Sequence, residues 1–288
     1  MDYLLLVVVA LVSTVTSREL TAEDFYNAKP GHLEYDPDFR RMFPNIPGPS
    51  NDAEPSIVGG IEVVPNSRPY QAGMFIPTQS GNSFCGATLI NARTALTAAH
   101  CVDSRVGNVT IYLGAHKMPP ENESHIVVVS SGDIVIHPDW YRPTLLHDVA
   151  IVRFPAPVPL NANITPVLLP VDASHDYLGN TTLVSGWGRP SDNASTISPE
   201  LREVTSFVIS NYACRLAYFG IIEESHICIS GGNGIGTCNG DSGGPLVING
   251  YLVGVVSFVS SWGCEQGWPP GFARVTYYLD WIRANMAY

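Results

Sequence analysis

The sequence predicts an all-β fold, a sandwich or a barrel, and three observations carry that expectation. Gly and Pro are both abundant, at 26 and 23 of 288 residues. Short apolar runs of strand length recur between those turn-formers, and the best helix candidate is a single segment at the C-terminus. In chain order the runs are Ala87-Thr88-Leu89-Ile90, Ile126 to Val129, Val149 to Val152, Leu183-Val184 and Leu252 to Val256. Each is of strand length and too short for an ordinary globular helix. The Pro-rich stretch from Pro155 to Pro170 reads as a crossing between two halves. Tyr277-Tyr278-Leu279-Asp280-Trp281-Ile282-Arg283 is the helix, with Thr276 or Val275 near its start. There is no internal repeat.

Composition narrows the function classes. Hydrophobic residues make up 45% of the chain and charged ones 14%, which suits neither a disordered segment nor a charged coiled coil. The 26 acidic residues outnumber 15 basic ones for a net charge of −11, so no overall basic field draws the protein to nucleic acid or to an anionic membrane. The length suffices for one large domain or two modest ones with cores of their own.

The first residues read as an address. Leu4 to Val12 is an unbroken apolar run followed by Ser13-Thr14-Val15-Thr16-Ser17. That run is far shorter than the ~20 residues a spanning helix needs. It suits the apolar core of a secretory signal cut after Ser17, with Val15 and Ser17 as the small residues, although Asp2 stands where a basic residue is usual. Residues 1–17 are therefore expected to be a signal peptide, and the protein to be secreted and extracellular. Residues 18–56 change character: eight acidic and four basic residues, no cysteine, and the run Phe43-Pro44-Asn45-Ile46-Pro47-Gly48-Pro49. Such a segment buries little apolar surface and is expected to be extended or loosely docked. It ends abruptly at Ile57-Val58-Gly59-Gly60.

Export turns the six cysteines into a disulfide question, and spacing alone does not choose their pairing. Cys85, Cys101, Cys214, Cys228, Cys238 and Cys264 include no CxxC pair, so a zinc-ribbon reading is weak. Five sequons, at Asn108, Asn122, Asn163, Asn180 and Asn193, are candidate glycosylation sites and predict five surface loops.

Gly240-Asp241-Ser242-Gly243-Gly244-Pro245 is the sharpest local signal. A serine between glycines can sit on a tight turn that exposes its hydroxyl and aims backbone N–H groups at an oxyanion. By itself such a run is usually only a turn. Its serine also needs a base. Thr97-Ala98-Ala99-His100-Cys101 offers a histidine among small residues, beside a cysteine that could pin it. His147-Asp148-Val149-Ala150-Ile151 offers an aspartate leading into an apolar strand, where burial is expensive without a partner. Each element is ambiguous alone; the three in this order are not.

With Ile57-Val58-Gly59-Gly60 and Ser185-Gly186-Trp187-Gly188 added, the sequence resembles the trypsin-like serine protease family over residues 57–288. The order His, Asp, Ser is that family's and not that of subtilisins or α/β-hydrolases. The resemblance implies two antiparallel β-barrels, the chymotrypsin fold, with a short C-terminal α-helix. Barrel 1 is expected over about 57–165, barrel 2 over about 166–288, and 18–56 becomes an activation propeptide. It implies that Ser242 is the nucleophile, His100 its base and Asp148 the orienting acid, with the N–H groups of Gly240 and Ser242 as the oxyanion hole. Cleavage before Ile57 would free an amine that turns inward to Asp241. Ser56 precedes that bond, so trypsin-type activation after Arg or Lys does not fit it; a first cut at Arg40-Arg41 followed by a protease that accepts small residues would. Family pairing implies the disulfides Cys85–Cys101, Cys214–Cys228 and Cys238–Cys264.

For specificity, the resemblance places the pocket floor six residues before the nucleophile, at Gly236, which carries no charge for Lys or Arg. The sequence around Gly236-Thr237-Cys238-Asn239-Gly240 resembles crustacean collagenolytic members, which carry a compensating Asp on a neighbouring wall. Here that position reads as Pro270. Ser257-Phe258-Val259 would pair with substrate backbone. Val259 and Pro270 add bulk where chymotrypsin-like members have Gly, and the run Ser257 to Cys264 is similar to the pancreatic elastase pattern. The expectation is a serine endopeptidase cleaving after small or medium apolar residues, with chymotrypsin-like cleavage after large or aromatic ones as the alternative. An inactive protease-like binding protein is the rival from another class, and it usually lacks a triad member. A metal hydrolase built on His137 and His147 lacks the ligand spacing. Ala115 stands where calcium-binding members have a carboxylate; with Glu121 and Glu123 alone no tightly held calcium, and no cofactor, is expected. Expected partners are protein or peptide substrates, protein protease inhibitors and an activating protease, with no nucleic acid or membrane, and the chain is expected to be a monomer.

Overall fold

A computed structural model describes residues 57–120 and 126–288. The expected signal (1–17) and propeptide (18–56), the sequon at Asn122, and Glu121 and Glu123 lie outside the described residues. Among the described residues no helix is long and apolar enough to cross a membrane.

Two seven-stranded antiparallel sheets form the molecule. In the first, β2 (Gln71–Thr78), β3 (Gly81–Asn91), β4 (Thr94–Thr97), β5 (Thr110–Leu113), β6 (Val127–Ser130), β7 (Ile134–Ile136) and β8 (Ala150–Arg153) lie in the order β6-β5-β2-β3-β4-β8-β7. This is a half-barrel. The second holds β1 (Ile61–Glu62), β9 (Thr181–Gly186), β10 (Arg202–Ile209), β11 (His226–Ile229), β12 (Pro245–Ile248), β13 (Tyr251–Phe258) and β14 (Gly271–Arg274). An extra pairing of β10 with β9 closes it into a barrel, which abolishes the edges an open sheet would expose. All five runs expected from the sequence to be strands contribute to strands. Two antiparallel barrels and a C-terminal helix are the chymotrypsin fold.

One detail departs from the expected division. Residues 57–62 belong with the second barrel, not with the first. β1 pairs with β10, Ile61 opposite Glu203, and Ile57 is fully buried among Val184, Val204, Ile227 and Val256. Apolar burial draws the start of the domain across the molecule, where alternation along the sequence says nothing of a two-residue strand.

Among the described residues three short α-helices complete the frame: α1 (Ala99–Val102), α2 (Asn211–Ala217) and α3 (Val275–Asn285). The last contains the expected 277–283 segment. It buries Tyr278, Leu279 and Ile282 in a core shared with Leu96, Ile151 and Val152 of the first sheet and Val247, Leu252 and Val255 of the second. α3 thus fastens one barrel to the other. The three disulfides join Cys85 to Cys101, Cys214 to Cys228 and Cys238 to Cys264. Of the described sequons, Asn108 and Asn193 are exposed, while Asn163 and Asn180 are half-buried.

Leu279 is 1% exposed. Leu279→Ala should therefore cost about 2–5 kcal/mol, the range for deleting a buried leucine side chain. Because Leu279 belongs to a core drawn from both sheets, denaturant unfolding should remain one transition, shifted to lower midpoint. Two separated transitions would show that α3 does not couple them.

Candidate active site

Strand register brings the first two site residues together. β4 and β8 are antiparallel neighbours with Thr97 opposite Ala150. The chain leaves β4 into α1, which carries His100, and it enters β8 just after Asp148, so the two side chains meet at the same end of the pair. The disulfide from Cys101 to Cys85 on β3 holds α1 in place.

Asp148 is 1% exposed and its carboxylate accepts three hydrogen bonds. The donors are His100 N at 2.9 Å to Oδ1, and His100 Nδ1 at 2.7 Å and Ser257 Oγ at 2.6 Å, both to Oδ2. A carboxylate accepts only, so the His100 proton sits on Nδ1 and Nε2 keeps its lone pair when the ring is neutral. Burial pulls the pKa of His100 down, but the charge and hydrogen bond of Asp148 outweigh it, and the net shift is upward.

Ser242 arrives from the second barrel, on the turn leading into β12, and is half-buried. Three backbone bonds fix that turn: Gly86 N donates to Ser242 O at 2.7 Å, Gly243 N to Val256 O at 2.8 Å, and Gly244 N to Asp241 O at 2.9 Å. The first of these crosses from one barrel to the other. Gly240 at φ +105° and Gly243 at φ +78° adopt backbone conformations that side chains disfavour. A Cβ on Gly243 would lie 2.2 Å from Thr97 Oγ1, so glycine lets the Ser242 turn approach β4. No group among the described residues engages the N–H of Gly240 or of Ser242, which leaves both free for an oxyanion. The Ser242 hydroxyl and His100 Nε2 are not hydrogen-bonded in this structure; such contacts commonly tighten only when substrate binds.

Asp241 lies beneath the turn, 1% exposed. Burial pushes its pKa up to about 6, against the pull of hydrogen bonds from Cys238 N (2.9 Å) and Gly188 N (2.7 Å). A Cβ on Gly186 or Gly188 would fall 2.1 or 2.2 Å from its carboxylate oxygens, which accounts for the glycines of Ser185-Gly186-Trp187-Gly188. Ile57 and Val58 are buried, and Gly236 N donates to Val58 O at 3.1 Å.

A family model described as Trypsin matches residues 57–282. The chain belongs to the trypsin family. It is 45% identical over 229 residues to a brachyurin of Leptuca pugilator, covering 80% of this chain and 98% of the relative. To a collagenase of Hypoderma lineatum it is 41% identical over 238 residues, covering 81% and 88%. The solved structure of HL collagenase has a TM-score of 0.72 to this chain at 40% identity, covering 78% of this chain and 96% of that one. As a trypsin-family serine endopeptidase, the chain acts on protein substrates.

Of the residues expected to form the substrate pocket, the structure brings Gly236, Pro270 and Phe258 close together. Gly236 and Pro270 are neighbours: a Cβ on Gly236 would lie 2.9 Å from Pro270 Cγ. Phe258 continues β13, with Tyr218 5.1 Å away edge-on and His226 at 5.7 Å. Burial holds the His226 pKa down to about 4, so this aromatic wall is uncharged at neutral pH. Ser257, expected to line the substrate, also turns its hydroxyl onto Asp148. Two further residues escaped the sequence reading. Thr237 beside the floor is buried with an unpartnered hydroxyl, and Gly271 lies under Phe258, whose ring is 2.1 Å from where its Cβ would be. Adjacency to Gly236 pointed to the first; nothing local pointed to the second.

The opposing influences on His100 can be separated. NMR titration of the ring should give a midpoint above the ordinary 6.5. In Asp148→Asn both raising causes weaken while burial remains, so the midpoint should fall below 6.5. A midpoint that stays put would contradict the geometry.

Proposed function

We propose that this chain is a secreted serine endopeptidase made as a zymogen, cleaving after small or medium apolar residues by an acyl-enzyme mechanism. The observation that carries the reading is the buried, three-donor Asp148 behind His100, set against a serine turn with two unengaged N–H groups. Ser242 attacks the scissile carbonyl and His100 takes its proton at Nε2, then returns it to the leaving amine. Asp148 holds the tautomer and stabilises the imidazolium. The N–H groups of Gly240 and Ser242 receive the oxyanion, where one donor is typically worth about 100- to 1000-fold in rate. Water then releases the acyl group by the same steps.

The size preference rests on an uncharged floor at Gly236 with Pro270 packed against it, and on the bulk that Val259 is proposed to add where chymotrypsin-like members have Gly. The bare Cα of Gly236 favours a second reading, cleavage after large or aromatic residues. The relative named collagenase adds structural proteins to the substrates worth assaying.

Activation is proposed at the Ser56–Ile57 bond. Ile57 sits at φ +23°, a conformation that a β-branched residue in a continuous chain adopts only under strain of about 1–3 kcal/mol. Cleavage would free that torsion and place an ammonium near the raised carboxylate of Asp241. Its pKa would rise above the ordinary ~8. The stabilisation is complete below that value and is lost as pH rises through the raised one.

Activity on peptide amides should therefore have two limbs. The acid limb is His100, which must be neutral to act as base, so kcat/KM falls as pH drops through a value raised above 6.5. The alkaline limb is the Ile57 amine. Asp148→Asn should lower kcat by about 10,000-fold, the magnitude measured for the chymotrypsin-type triad. The first experiment is N-terminal sequencing of the processed protein with an amide panel varying the residue before the cut. A chain starting at Ile57 that prefers Ala, Val or Leu supports the reading. Preference for Phe or Tyr selects the second one. No turnover from that chain would leave a protease-like binding protein.

A further inference from the structure

The loop that follows Cys264 packs on the segment leading to Gly236, where a Cβ on Gly234 would lie 2.9 Å from Glu265 O, and forms a wall beside the proposed pocket; it is held from outside by a residue with no part in the chemistry. Asp192 lies in the irregular segment between β9 and β10. Its Oδ1 accepts from Cys264 N at 2.6 Å, and its Oδ2 from Glu265 N at 3.3 Å and Gln266 Nε2 at 3.5 Å. Glu265 answers in kind, its Oε2 accepting from Asp192 N at 2.8 Å. The approach is close enough to dictate the next residue: a Cβ on Gly263, at φ +127°, would fall 2.3 Å from Asp192 Oδ2. Hydrogen bonds from backbone N–H to a carboxylate are charge-assisted and stronger than neutral ones, so two irregular segments 73 residues apart become one unit.

That unit touches the site at both ends. On one side Arg189 N donates to Asn239 O at 2.8 Å, and the Ile197 side chain is 2.7 Å from where a Cβ on Gly240 would sit. On the other, the disulfide from Cys264 to Cys238 reaches the residue after Thr237. The wall loop 263–266 is therefore fastened at its inner edge by a covalent bond and at its outer edge by Asp192.

We propose that Asp192 is a specificity-determining positioning residue: its reciprocal clasp with Glu265 holds the wall loop 263–266 against the pocket and so limits the size of side chain that enters. The proposal rests on the protease reading but not on which side chain the pocket prefers. Release of the clasp lets the wall retreat and admits larger side chains, while the triad, tied to other strands, stays assembled.

The test uses enzyme processed to Ile57, with matched peptide amides carrying Ala or Phe before the cut, and a small acylating titrant that counts competent Ser242. Asp192→Ala should raise the Phe-to-Ala ratio of kcat/KM about tenfold, mainly through a lower KM for Phe, with the titrated sites unchanged. Asp192→Asn keeps one acceptor oxygen and should fall between wild type and Ala. Glu265→Gln should move the ratio the same way by less. Asp192 is exposed, so no core is disturbed, and the latter two variants make the comparison should the alanine variant not accumulate. An unchanged ratio, or an equal loss on both substrates, overturns the proposal while leaving the protease reading intact. Wild-type enzyme that takes up no titrant removes the reading on which the proposal stands, and the proposal with it.

Discussion

A carboxylate at 1% exposure is the constraint on which the active end of this molecule depends. Left alone, the Asp148 charge would cost several kcal/mol, and a missing donor would cost about 1–3 kcal/mol of that. The fold meets the requirement with donors from two barrels: two from α1, behind β4, and one from Ser257 at the end of β13. Each donor fixes something else. The bond from His100 N sets where α1 begins, the bond from Nδ1 sets the tautomer, and the Ser257 bond sets how the end of β13 approaches the first barrel. Satisfying one buried charge thus aligns His100, Asp148 and the end of β13 together, the proposed base, acid and substrate strand.

The short motifs of the chain are the steric counterpart of that alignment. Thr97, Gly86, Gly243 and Gly244 meet at the seam between barrels, where Gly86 N reaches Ser242 O and a Cβ on Gly86 would lie 2.9 Å from Gly244 Cα. Around Asp241 the glycines at 186 and 188 are equally obligatory. Function-bearing glycines appear as motifs because no other residue fits, and that is why they could be read without coordinates.

What was legible follows the range of the interaction. The half-buried and buried strands of single residue class, such as Val149–Val152, declare themselves. β2, with Gln71, Gly73 and Pro77, does not, because its place is decided by pairing with β3 and β5 on either side. His100, Asp148 and Ser242 were visible through local motifs in a telling order. The second task of Ser257 was not, since its partner is 109 residues away, nor was the Asp192 clasp, which depends on two loops having no periodicity. Gly271 differs again: glycine after Pro269-Pro270 reads as an ordinary turn, and only the Phe258 ring upon it shows otherwise.

The two buried aspartates argue for the activation step by their contrast. Both are 1% exposed. Asp148 has three donors, one of them a histidine able to take up positive charge. Asp241 has two backbone N–H groups, and burial still lifts its pKa to about 6. Neutral dipoles alone do not offset the desolvation of a full charge, so this carboxylate holds its charge at a cost, beneath the very N–H groups that would receive an oxyanion. A cation at that place would offset the cost of the anion and draw the turn tight around it. Ile57 and Val58, the first residues of a domain preceded by a segment of wholly different composition, are buried in the same barrel, and Val58 O accepts from Gly236 N five residues before Asp241. On the proposed reading, a protease that frees the Ile57 amine supplies that cation, and the burial that makes Asp241 costly is what makes the response to one cut peptide bond large.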